Sequence, residues 1–590
     1  MQPRSRWILP PADAALDADA ALLARDLQLH PVLARVLCRR GHRDRAAATR
    51  LLQPHLDDLL DPLLMTDMDR ASERLARALQ AGEHIVISGD YDTDGITGTA
   101  LLVSELRRLQ GRVDFFIPDR ERDGYGMTPR LVQRAGEVGV RVLISVDCGS
   151  SEHETIALAQ SLGIDVIVVD HHEIPRRPAA ALAVLNPKRA DCAYPFKGLS
   201  AVGVAYKLLQ AVCMRLLAQR TPEDGLDLVA LGTMGDVQPL LQENRVLTKL
   251  GLDRLRSGQV RLGMRALFGT AGVREVEVKS RPVGFRLVPR LNAAGRVARG
   301  KLAVDLLLAT EEETARRLAL ELETQNERRR RLTEQVEAEA REQAAALWQR
   351  SPRPALVLLS QTWHPGVVGI AAARLAEEYG VPAVLIGVQN GVGKGSIRTS
   401  GGVNVRAALD AAAAELVRFG GHKEACGLTL EPGRFEAFRG LFEDAVAQQQ
   451  GEAQGRVLAV DAEIAPADVA VELADALELL EPFGPGNPEP FLLVRDVRVR
   501  ERTRLVGGSH LKLDLELADG SPLDGIAFRW GREISPAEVV GRHLDVVGQL
   551  RRQDPRWGQA CQLVVADLRE AEASNIAVAG AGEPARNESS

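Results

Sequence analysis

The sequence predicts an α/β fold with a buried parallel β-sheet, and two observations lead to that prediction. Between His84 and about Val237, stretches of helical periodicity alternate with short runs rich in β-branched residues, namely HIVISGD, RVDFFIPD, RVLISVD and DVIVVD. Continuous apolar runs of this kind are typical of parallel strands that helices cover on both faces. A chain of 590 residues, 45% of them hydrophobic, is also long enough to form about three or four separate cores.

Changes in composition divide the rest of the chain. Residues 309–348 contain neither Gly nor Pro and are highly charged, which predicts one long polar helix joining two globular parts. A second α/β region follows, and after it short β runs alternate with turns, as in a compact OB-type β-barrel. The predicted segments are an N-terminal helical segment (1–70), a parallel-sheet domain (71–305), a connecting helix (306–350), a second α/β domain (351–450), an OB-type barrel (455–570) and a disordered tail (571–590).

The composition excludes several classes of protein. The net charge of −6 and the high aliphatic content exclude a chain that is mainly disordered. No apolar run reaches the roughly 18 residues that span a bilayer, and the N-terminus turns acidic where an export signal would stay apolar. The six cysteines are scattered and form no CxxC pair, which favours reduced thiols over disulfides or a zinc site. We therefore expect a cytoplasmic protein that does not associate with membranes.

Acidic residues follow the predicted strands at the point where each strand ends. They are Asp90, Asp92 and Asp94 after HIVISG, Asp147 after LISV, Asp170 with His171 and His172 after VIVV, and Asp236 after a further apolar stretch. A single Asp in such a place is usually a turn or helix-capping residue. Because ligands of an open parallel sheet bind outside the carboxyl ends of its strands, a set of this size predicts one crevice lined by carboxylates.

These side chains favour a centre for two divalent cations. Carboxylates with one or two histidines suit Mn²⁺ or Mg²⁺, and two such ions carry +4 against the −5 of the five aspartates other than Asp170. Two adjacent ions activate water and stabilise both oxygens of a phosphoryl displacement, so the sequence predicts metal-assisted phosphoester hydrolysis. A calcium-binding EF-hand is excluded because its twelfth loop position would be Leu101. The sequence contains no Walker-type phosphate loop, so nothing in it indicates that the protein uses ATP.

The triplet Asp170-His171-His172, together with GDYDTDG at 89–95, resembles the signature of the DHH phosphoesterase superfamily. Seven further motifs resemble, in their order, those of the RecJ family of single-strand-specific 5′→3′ exonucleases, and the resemblance covers about residues 30–570. These motifs are RDGYGM (122–127), LGTMGDVQPL (231–240), PRLNAAGR (289–296), WHPGVVGIAAARL (363–375), GKGSIRTS (393–400), GGHKEACGL (420–428) and EPFGPGNPEPF (481–491). The resemblance implies a metal-dependent enzyme that releases mononucleotides from single-stranded DNA in recombination and repair, using two Mn²⁺ or Mg²⁺ ions and no ATP.

The resemblance also implies roles for the residues at the predicted strand ends. One ion would be held by Asp90 and Asp92, and the other by Asp94, His171 and Asp236. Asp147 would bridge the two ions. His172 would act beside the scissile phosphate, and Asp170 would orient the neighbouring histidines, as residues behind metal ligands commonly do.

Most of the predicted nucleic-acid contacts lie in the second half of the chain. The second α/β domain resembles the DHH-associated domain, where His422 would lie at the nucleic-acid cleft. The 5′-phosphate would be held by Ser396 and Arg398, with backbone N–H groups of the glycine-rich segment around them. The resemblance implies that Arg120 and Arg296 complete this site; Arg122 is the alternative to Arg120, and a structural ion pair is the alternative role of Arg296. The basic and aromatic groups available for a single strand on the predicted barrel are His510, Lys512, Phe528, Arg529, Arg551, Arg552 and Trp557.

Three hypotheses of function are open at this point. The favoured one is a 5′→3′ exonuclease that acts as a monomer on single-stranded DNA, with a single-strand-binding protein and a helicase as partners. The second is a DHH-type phosphodiesterase on oligoribonucleotides or cyclic dinucleotides, but those shorter enzymes lack the barrel and the PFGPGNPEPF motif. The third is a non-catalytic DHH-family scaffold that binds DNA, and the complete set of expected metal ligands weighs against it.

Overall fold

The structure is a computed structural model, and it describes residues 3–120, 122–124, 126–174, 179–217, 224–349, 351–449, 457–553 and 560–571. Trp557 and the predicted tail after residue 571 lie outside this range. Residue contacts divide the chain into two compact units. The first unit comprises Met1–Gln53, Gly455–Glu481 and Glu489–Ser590, and the second comprises Pro54–Gln454 and Pro482–Pro488. Among the helices of the described residues, none combines the length and apolar character that crossing a bilayer requires.

The predicted N-terminal segment (1–70) is divided between the units at residue 53, and its part in the first unit is not wholly helical. It contains a short strand and three helices: β1 (Arg6–Ile8), α1 (Ala14–Leu27), α2 (Pro31–Arg39) and α3 (Arg45–Leu52). Strand β1 pairs in parallel with residues Val457–Ala459, and the indole Nε1 of Trp7 donates a hydrogen bond to Asp567, 560 residues away. The sequence analysis did not predict this strand, because three residues show no periodicity and their partners lie near the other end of the chain.

A five-stranded parallel sheet forms the centre of the second unit, in the order β3-β2-β4-β5-β6. Alternate residues of the strands enter separate cores: Ile85 and Ile87 pack on one face, and Val86 packs on the other. Burial of both faces explains the continuous apolar runs. The elements of this layer are α4 (Met68–Gln80), β2 (His84–Gly89), α5 (Thr93–Arg108), β3 (Arg112–Phe116), α6 (Pro129–Glu137), β4 (Val142–Val146), α7 (His153–Ser161), β5 (Asp165–Val169) and β6 (Ala183–Leu185).

Helices follow the sheet and end in the long polar helix that the sequence predicts. They are α8 (Ala201–Leu217), α9 (Leu226–Gly235), α10 (Gln242–Arg256), α11 (Leu262–Ala271), α12 (Ser280–Pro282), a π-helical turn (Val283–Leu287), α13 (Val288–Val297), α14 (Lys301–Leu307) and α15 (Glu312–Trp348). Helix α15 has 37 residues and contacts α11, α13 and α14. It also contacts the next helix of the chain, so it joins the two α/β domains of this unit.

The second α/β domain has a mixed sheet, in the order β10-β11-β9-β8-β7. Its elements are β7 (Leu356–Ser360), α16 (Val368–Tyr379), β8 (Ala383–Gln389), β9 (Val392–Arg398), α17 (Val405–Ala411), β10 (Arg418–Gly421), β11 (Ala425–Leu430) and α18 (Phe435–Gln449). Strands β7 and β8 are parallel, and the other pairs are antiparallel. The glycine-rich segment forms β9, an interior strand with partners on both sides. The prediction of a phosphate-binding nest there is therefore wrong, because the backbone amides of that segment belong to the sheet ladders.

The rest of the first unit is a closed β-barrel. Its elements are β12 (Val457–Ala459), β13 (Ala462–Glu463), α19 (Val471–Glu478), β14 (Leu492–Val499), β15 (Arg504–Val506), β16 (His510–Glu516), β17 (Pro522–Ala527), α20 (Pro536–Val539), β18 (His543–Arg552) and β19 (Cys561–Glu570). Neighbouring strands run in the order β14-β18-β19-β17-β16, and a further pairing of β14 with β16 closes the ring. Five strands closed in this way form the predicted OB-type barrel.

Candidate metal centre and nucleic-acid cleft

Three aspartates lie side by side at the carboxyl edge of the parallel sheet. Asp90, Asp147 and Asp170 each follow a strand directly, and the backbone N–H of each donates to the carbonyl of the last residue of the neighbouring strand, at 3.1, 2.9 and 3.1 Å. Helix α5 starts close to this edge. A Cβ atom on Gly95 would lie 2.6 Å from the backbone N and O of Asp90, so the glycine allows the helix to approach.

The other two acids of GDYDTDG sit at the start of helix α5. Asp92 caps the helix, because its Oδ1 accepts hydrogen bonds from the N–H groups of Asp94 and Gly95, at 3.0 and 3.2 Å. Asp94 is fully buried and accepts from the N–H groups of Ala201 and Val202, at 2.7 and 2.9 Å, where helix α8 begins. Each carboxylate thus also fixes a helix N-terminus, a placement that the helix dipole favours.

Side-chain ligand atoms of these acids and of the two histidines converge in three sets. Within each set the atoms lie no more than 4.8 Å apart; the sets are Asp90–Asp92–Asp147, Asp94–His171–Asp236 and Asp147–His171–His172. Asp147 is the only residue of the first set that also belongs to another set. It has a φ of +64°, a left-handed conformation that Asp tolerates better than most residues. All six predicted metal ligands are therefore brought together, and their assignment to two ions stays a prediction.

Burial of these carboxylates favours a bound cation. Burial first, and the negative charges of neighbouring carboxylates second, raise the pKa of Asp90, Asp94 and Asp147 well above the usual range. The same two causes raise the pKa of Asp236 to about 6. Without a cation, such groups hold protons or destabilise the fold through repulsion. Divalent cations would offset this charge.

His171 has the properties of a metal ligand. Its Nε2 lies 3.2 Å from Asp147, 3.4 Å from Asp236 and 3.8 Å from Asp94. Burial, followed by the charge of His172, lowers the pKa of His171 to about 3, so its ring is neutral. Among the described residues, neither this Nε2 nor Oδ1 of Asp90 has a hydrogen-bond partner, although both are buried. Two such atoms facing the same carboxylates fit a hard divalent cation.

Asp170 organises the neighbouring histidine pair. Its Oδ1 accepts from the backbone N–H groups of His171 and His172, at 2.8 and 3.1 Å, and lies 2.8 Å from Nδ1 of His172. Burial lowers the pKa of His172, but the hydrogen bond to Asp170 and the nearby carboxylates outweigh burial and raise that pKa to about 9. The side chain of His172 is 39% exposed. The geometry therefore offers a protonated imidazole that faces solvent beside the acids.

Several supporting residues were not predicted from the sequence. The amide of Gln238 donates to Asp236 at 2.8 Å and lies 3.5 Å from His171. The Oδ1 of Asn292 accepts from the N–H and the hydroxyl of Thr93, at 2.8 and 2.9 Å, and so joins helix α13 to the start of α5. Both residues lie inside motifs that the sequence analysis identified, LGTMGDVQPL and PRLNAAGR, so the sequence did mark these regions as functional. A polar residue within a motif does not by itself reveal which side chain it supports.

The predicted phosphate-binding arginines come from three distant parts of the chain. Arg120 lies over the ring of Tyr91, 5.3 Å from its centroid, and Arg398 donates to the hydroxyl of Ser396 at 2.8 Å. Burial, followed by the charges of Arg120, Arg398 and Arg329, lowers the pKa of Arg296 to about 10. Within the described part of the chain, Arg120, Arg296 and Arg398 form no ion pair with a carboxylate. Three guanidinium groups without carboxylate partners in that part of the chain can bind an anion such as a phosphate.

His422, in the second α/β domain, lies within electrostatic range of His172. It is exposed at the end of β10, and burial together with the positive charge of His172 lowers its pKa. The charge of Lys188, which the sequence analysis did not single out, acts on His422, His171 and Asp236. Groups of both α/β domains of the second unit, His422 of the second and Lys188 and His172 of the first, therefore interact electrostatically.

Comparisons with known proteins agree with this geometry. The family model "DHH family, N-terminal domain" matches residues 84–233, "DHHA1 domain" matches 353–448, and "RecJ OB domain" matches 460–567. The parallel sheet, the acids at its strand ends and the DHH triplet thus define a protein of the DHH class.

Relatives narrow the class to one family. "Single-stranded-DNA-specific exonuclease RecJ" of Dickeya dadantii is 37% identical over 561 residues, 92% of this chain and 96% of that protein. Its namesake in Bacillus subtilis is 34% identical over 555 residues, 93% of this chain and 69% of that protein. The crystal structure of RecJ in complex with Mn²⁺ from Thermus thermophilus is 32% identical, with a TM-score of 0.81 over 97% of this chain and 80% of that one. The chain belongs to the RecJ family.

Proposed function

We propose that this chain is a metal-dependent exonuclease that hydrolyses phosphodiester bonds of single-stranded DNA. The observation that carries the proposal is the pair of ligand sets, Asp90–Asp92–Asp147 and Asp94–His171–Asp236, at the carboxyl edge of the parallel sheet. The names of the relatives support single-stranded DNA as the substrate. Hard divalent ions are supported by the RecJ crystal structure with Mn²⁺ and by a second one with Mg²⁺, which is 30% identical and covers 97% of this chain. The match to the RecJ OB domain weighs against a shorter DHH phosphodiesterase.

In the proposed mechanism, the two ligand sets would hold two divalent ions through carboxylate oxygens and the neutral ring of His171. Such ions would supply an activated water and would neutralise charge on the oxygens of the scissile phosphate. Asp147 would contribute to both positions, because it belongs to the first set and also lies 3.2 Å from Nε2 of His171, a member of the second. Gln238 and the capped helix ends hold the ligands in place before any ion binds.

His172 is the group proposed to act on the phosphate itself. Its Nδ1 is held by Asp170, so the other ring nitrogen, Nε2, is the one available to donate a hydrogen bond to a phosphate oxygen. A charge-assisted hydrogen bond to the growing negative charge stabilises the transition state more than the ground state. Asp170 itself is a positioning residue, since its carboxylate is fully engaged by backbone and imidazole groups.

The arginines support a proposal for polarity. Arg120, Arg296 and Arg398, with Ser396, would hold the terminal 5′-phosphate, so that hydrolysis proceeds from 5′ to 3′ and releases mononucleotides. Their guanidinium groups lack carboxylate partners among the described residues, and a phosphate would provide one. His422 would contact the strand where it crosses the cleft. The barrel would add affinity through stacking and basic groups.

Digestion of end-labelled DNA tests the proposal. Single-stranded and duplex DNA carrying a 5′ or a 3′ label would be incubated with the full chain and Mn²⁺, Mg²⁺ or EDTA. We expect metal-dependent release of labelled mononucleotide first from the 5′ end of single strands, and no release in EDTA. Release first from the 3′ end would contradict the proposed polarity, and equal cutting of duplex DNA would contradict the substrate. Cleavage of cyclic dinucleotides in place of DNA would favour the phosphodiesterase hypothesis.

The proposal extends to location and partners. An enzyme restricted to single strands needs another activity to unwind duplex DNA, which supports a helicase as partner. Single-strand-binding proteins bind exposed single strands in cells, which supports such a protein as the second partner. We propose that the chain acts in the cytoplasm as a monomer, in recombination and repair. Light scattering of the full chain and co-purification with single-strand-binding protein are direct measurements of these points.

A further inference from the structure

A polar layer interrupts the buried face of the long helix α15. Side chains at intervals of three or four residues share one face of a helix, and on α15 that face is apolar at Leu322 and Val336. Between these two positions it carries Asn326, Arg329 and Thr333. Asn326 and Thr333 are 2% and 4% exposed. The layer lies in the middle of the helix that joins the two α/β domains.

Arg329 has no charge partner in this layer. Its Nε is buried and has no hydrogen-bond partner among the described residues, and the same holds for Oδ1 of Asn326. The neighbouring carboxylates are engaged elsewhere: Glu323 pairs with Arg290, and Glu337 pairs with Arg374. A partly buried charge without a partner is costly to a fold, so an arginine in this position calls for an anion that the protein itself does not supply.

The position of Arg329 connects this layer to the phosphate-binding arginines. The preceding residue, Arg328, donates to the backbone carbonyl of Val297 at 3.3 Å, which holds this turn of α15 against the residue that follows Arg296. The charge of Arg329 is among those that lower the pKa of Arg296. Burial and the nearby arginines lower the pKa of Arg329 too. Arg329 therefore lies on the turn of α15 that contacts the residue after Arg296, within electrostatic range of Arg296.

We infer that Arg329 is a positioning residue that makes the cleft selective for the doubly charged phosphate of a strand terminus over the singly charged internal diester. The inference rests on the proposed function and deepens it. A terminal phosphomonoester carries close to −2 above its second pKa of about 6, whereas a diester carries −1. Arg120, Arg296 and Arg398 are sufficient to contact one phosphate. A fourth positive charge within electrostatic range of Arg296 favours the extra negative charge of the terminus without touching it.

Equilibrium binding without metal tests this inference separately from catalysis. The full chain in EDTA would be titrated with 3′-labelled single strands that end in a 5′-phosphate, a 5′-methyl phosphate or a 5′-hydroxyl group. We expect Arg329→Met to weaken binding of the 5′-phosphate strand by about three- to tenfold, as for a charge acting through partly desolvated protein. Binding of the other two strands should change less than about twofold. The loss should shrink at pH 5, where the terminal phosphate carries a single charge.

Two further variants make the test specific. Arg331→Met removes the same charge from an exposed position of the same helix, and it should change no binding constant by more than about 1.5-fold. Arg329→Lys keeps the charge and should keep most of the preference. Unfolding temperature provides a second readout. Without DNA, Arg329→Met should unfold at the same temperature as the wild type or higher, because a buried charge without a partner is removed.

The outcomes separate this inference from the proposed function. A wild type that prefers 5′-phosphate strands and an Arg329→Met variant that keeps the full preference would overturn the inference alone. Equal losses on all three strands, or a lower unfolding temperature of Arg329→Met than of Arg331→Met, would assign Arg329 a structural role. A wild type that binds all three strands equally would overturn both the inference and the proposed 5′-end recognition.

Discussion

Replacement of Asp236 by Asn should make the metal-free protein more stable while it disables the metal centre. Asp236 follows helix α9 and accepts a hydrogen bond from Gln238 at 2.8 Å. The side-chain oxygen of an asparagine can accept the same bond, so the local geometry should survive. What the substitution removes is one negative charge from a crowded group of carboxylates. The same charge is a predicted ligand of a divalent ion together with Asp94 and His171.

The magnitude follows from the pKa. Burial and the charge of Asp92 raise the pKa of Asp236 to about 6, from an ordinary value of 3.8. One pKa unit corresponds to about 1.4 kcal/mol, so holding this group charged costs the fold up to about 3 kcal/mol. Because the folded state binds the proton more tightly than the unfolded state, the cost is absent below pH 4. It grows between about pH 4 and pH 6 and is complete above pH 6.

Thermal unfolding in EDTA at pH 4, 5 and 8 measures this effect. Asp236→Asn should unfold at a higher temperature than the wild type at pH 8, and the difference should fall toward zero at pH 4. Addition of Mn²⁺ should raise the unfolding temperature of the wild type more than that of the variant, because binding to the folded state stabilises it by mass action. Glu334→Gln, at an exposed position of α15, is the matched control and should change neither quantity. A variant less stable than the wild type at pH 8 without metal, or equal stabilisation of both by Mn²⁺, would refute the electrostatic reasoning.

Three other substitutions test the proposed roles directly. Asp147→Ala should leave the fold intact and lower nuclease activity below about a hundredth of the wild type, because its carboxylate belongs to two ligand sets; higher residual activity would argue against a bridging role. Arg398→Ala should weaken the reaction of 5′-phosphorylated strands by about 1.5–3 kcal/mol in kcat/KM and affect 5′-hydroxyl strands much less. The control Arg434→Ala, in the same domain but paired with Glu415, should affect neither, and equal losses on both strands would make Arg398 a general backbone contact. Phe528→Ala should weaken binding of single strands by about 1–3 kcal/mol, since this exposed ring beside His510 is available for stacking. Arg552→Met should weaken it little because Arg552 pairs with Asp475, and a larger effect of Arg552→Met than of Phe528→Ala would contradict the proposed stacking on Phe528.

The main features of the fold could be predicted from local patterns in the sequence. Strands β2, β4 and β5 are buried on both faces, so their residues form continuous apolar runs that no surface helix would show. Helix α15 has no glycine or proline and a sparse apolar stripe, and it forms close to the predicted range. Strands β1 and β6 have only three residues each, which is too short for a pattern, and pairing with residues 457–459 and with β5, respectively, stabilises them.

The candidate metal centre was also accessible from the sequence, because most of its ligands occur where predicted strands end. The sequence alone did not reveal that Asp92 and Asp94 also fix the starts of two helices. It also suggested a phosphate-binding nest of backbone amides around Ser396, where the structure has an interior strand whose amides pair with β8 and β11. Glycine content indicates conformational freedom, but whether a segment forms a loop or a strand depends on its neighbours in the sheet.

Sequence by itself determined the class of chemistry, since residue types and their spacing at strand ends select hard divalent cations. Only the tertiary structure decided which charges meet. Arg120, Arg296 and Arg398 lie far apart in the sequence, after β3, on α13 and on β9, and the fold brings their charges within range of each other. The arginine run on α15 looks like a solvated helix face in sequence, yet the packing of that helix between two domains buries Nε of Arg329. The physical reason is that hydrophobic periodicity is a local property, whereas burial and electrostatic interaction depend on distances across the folded chain.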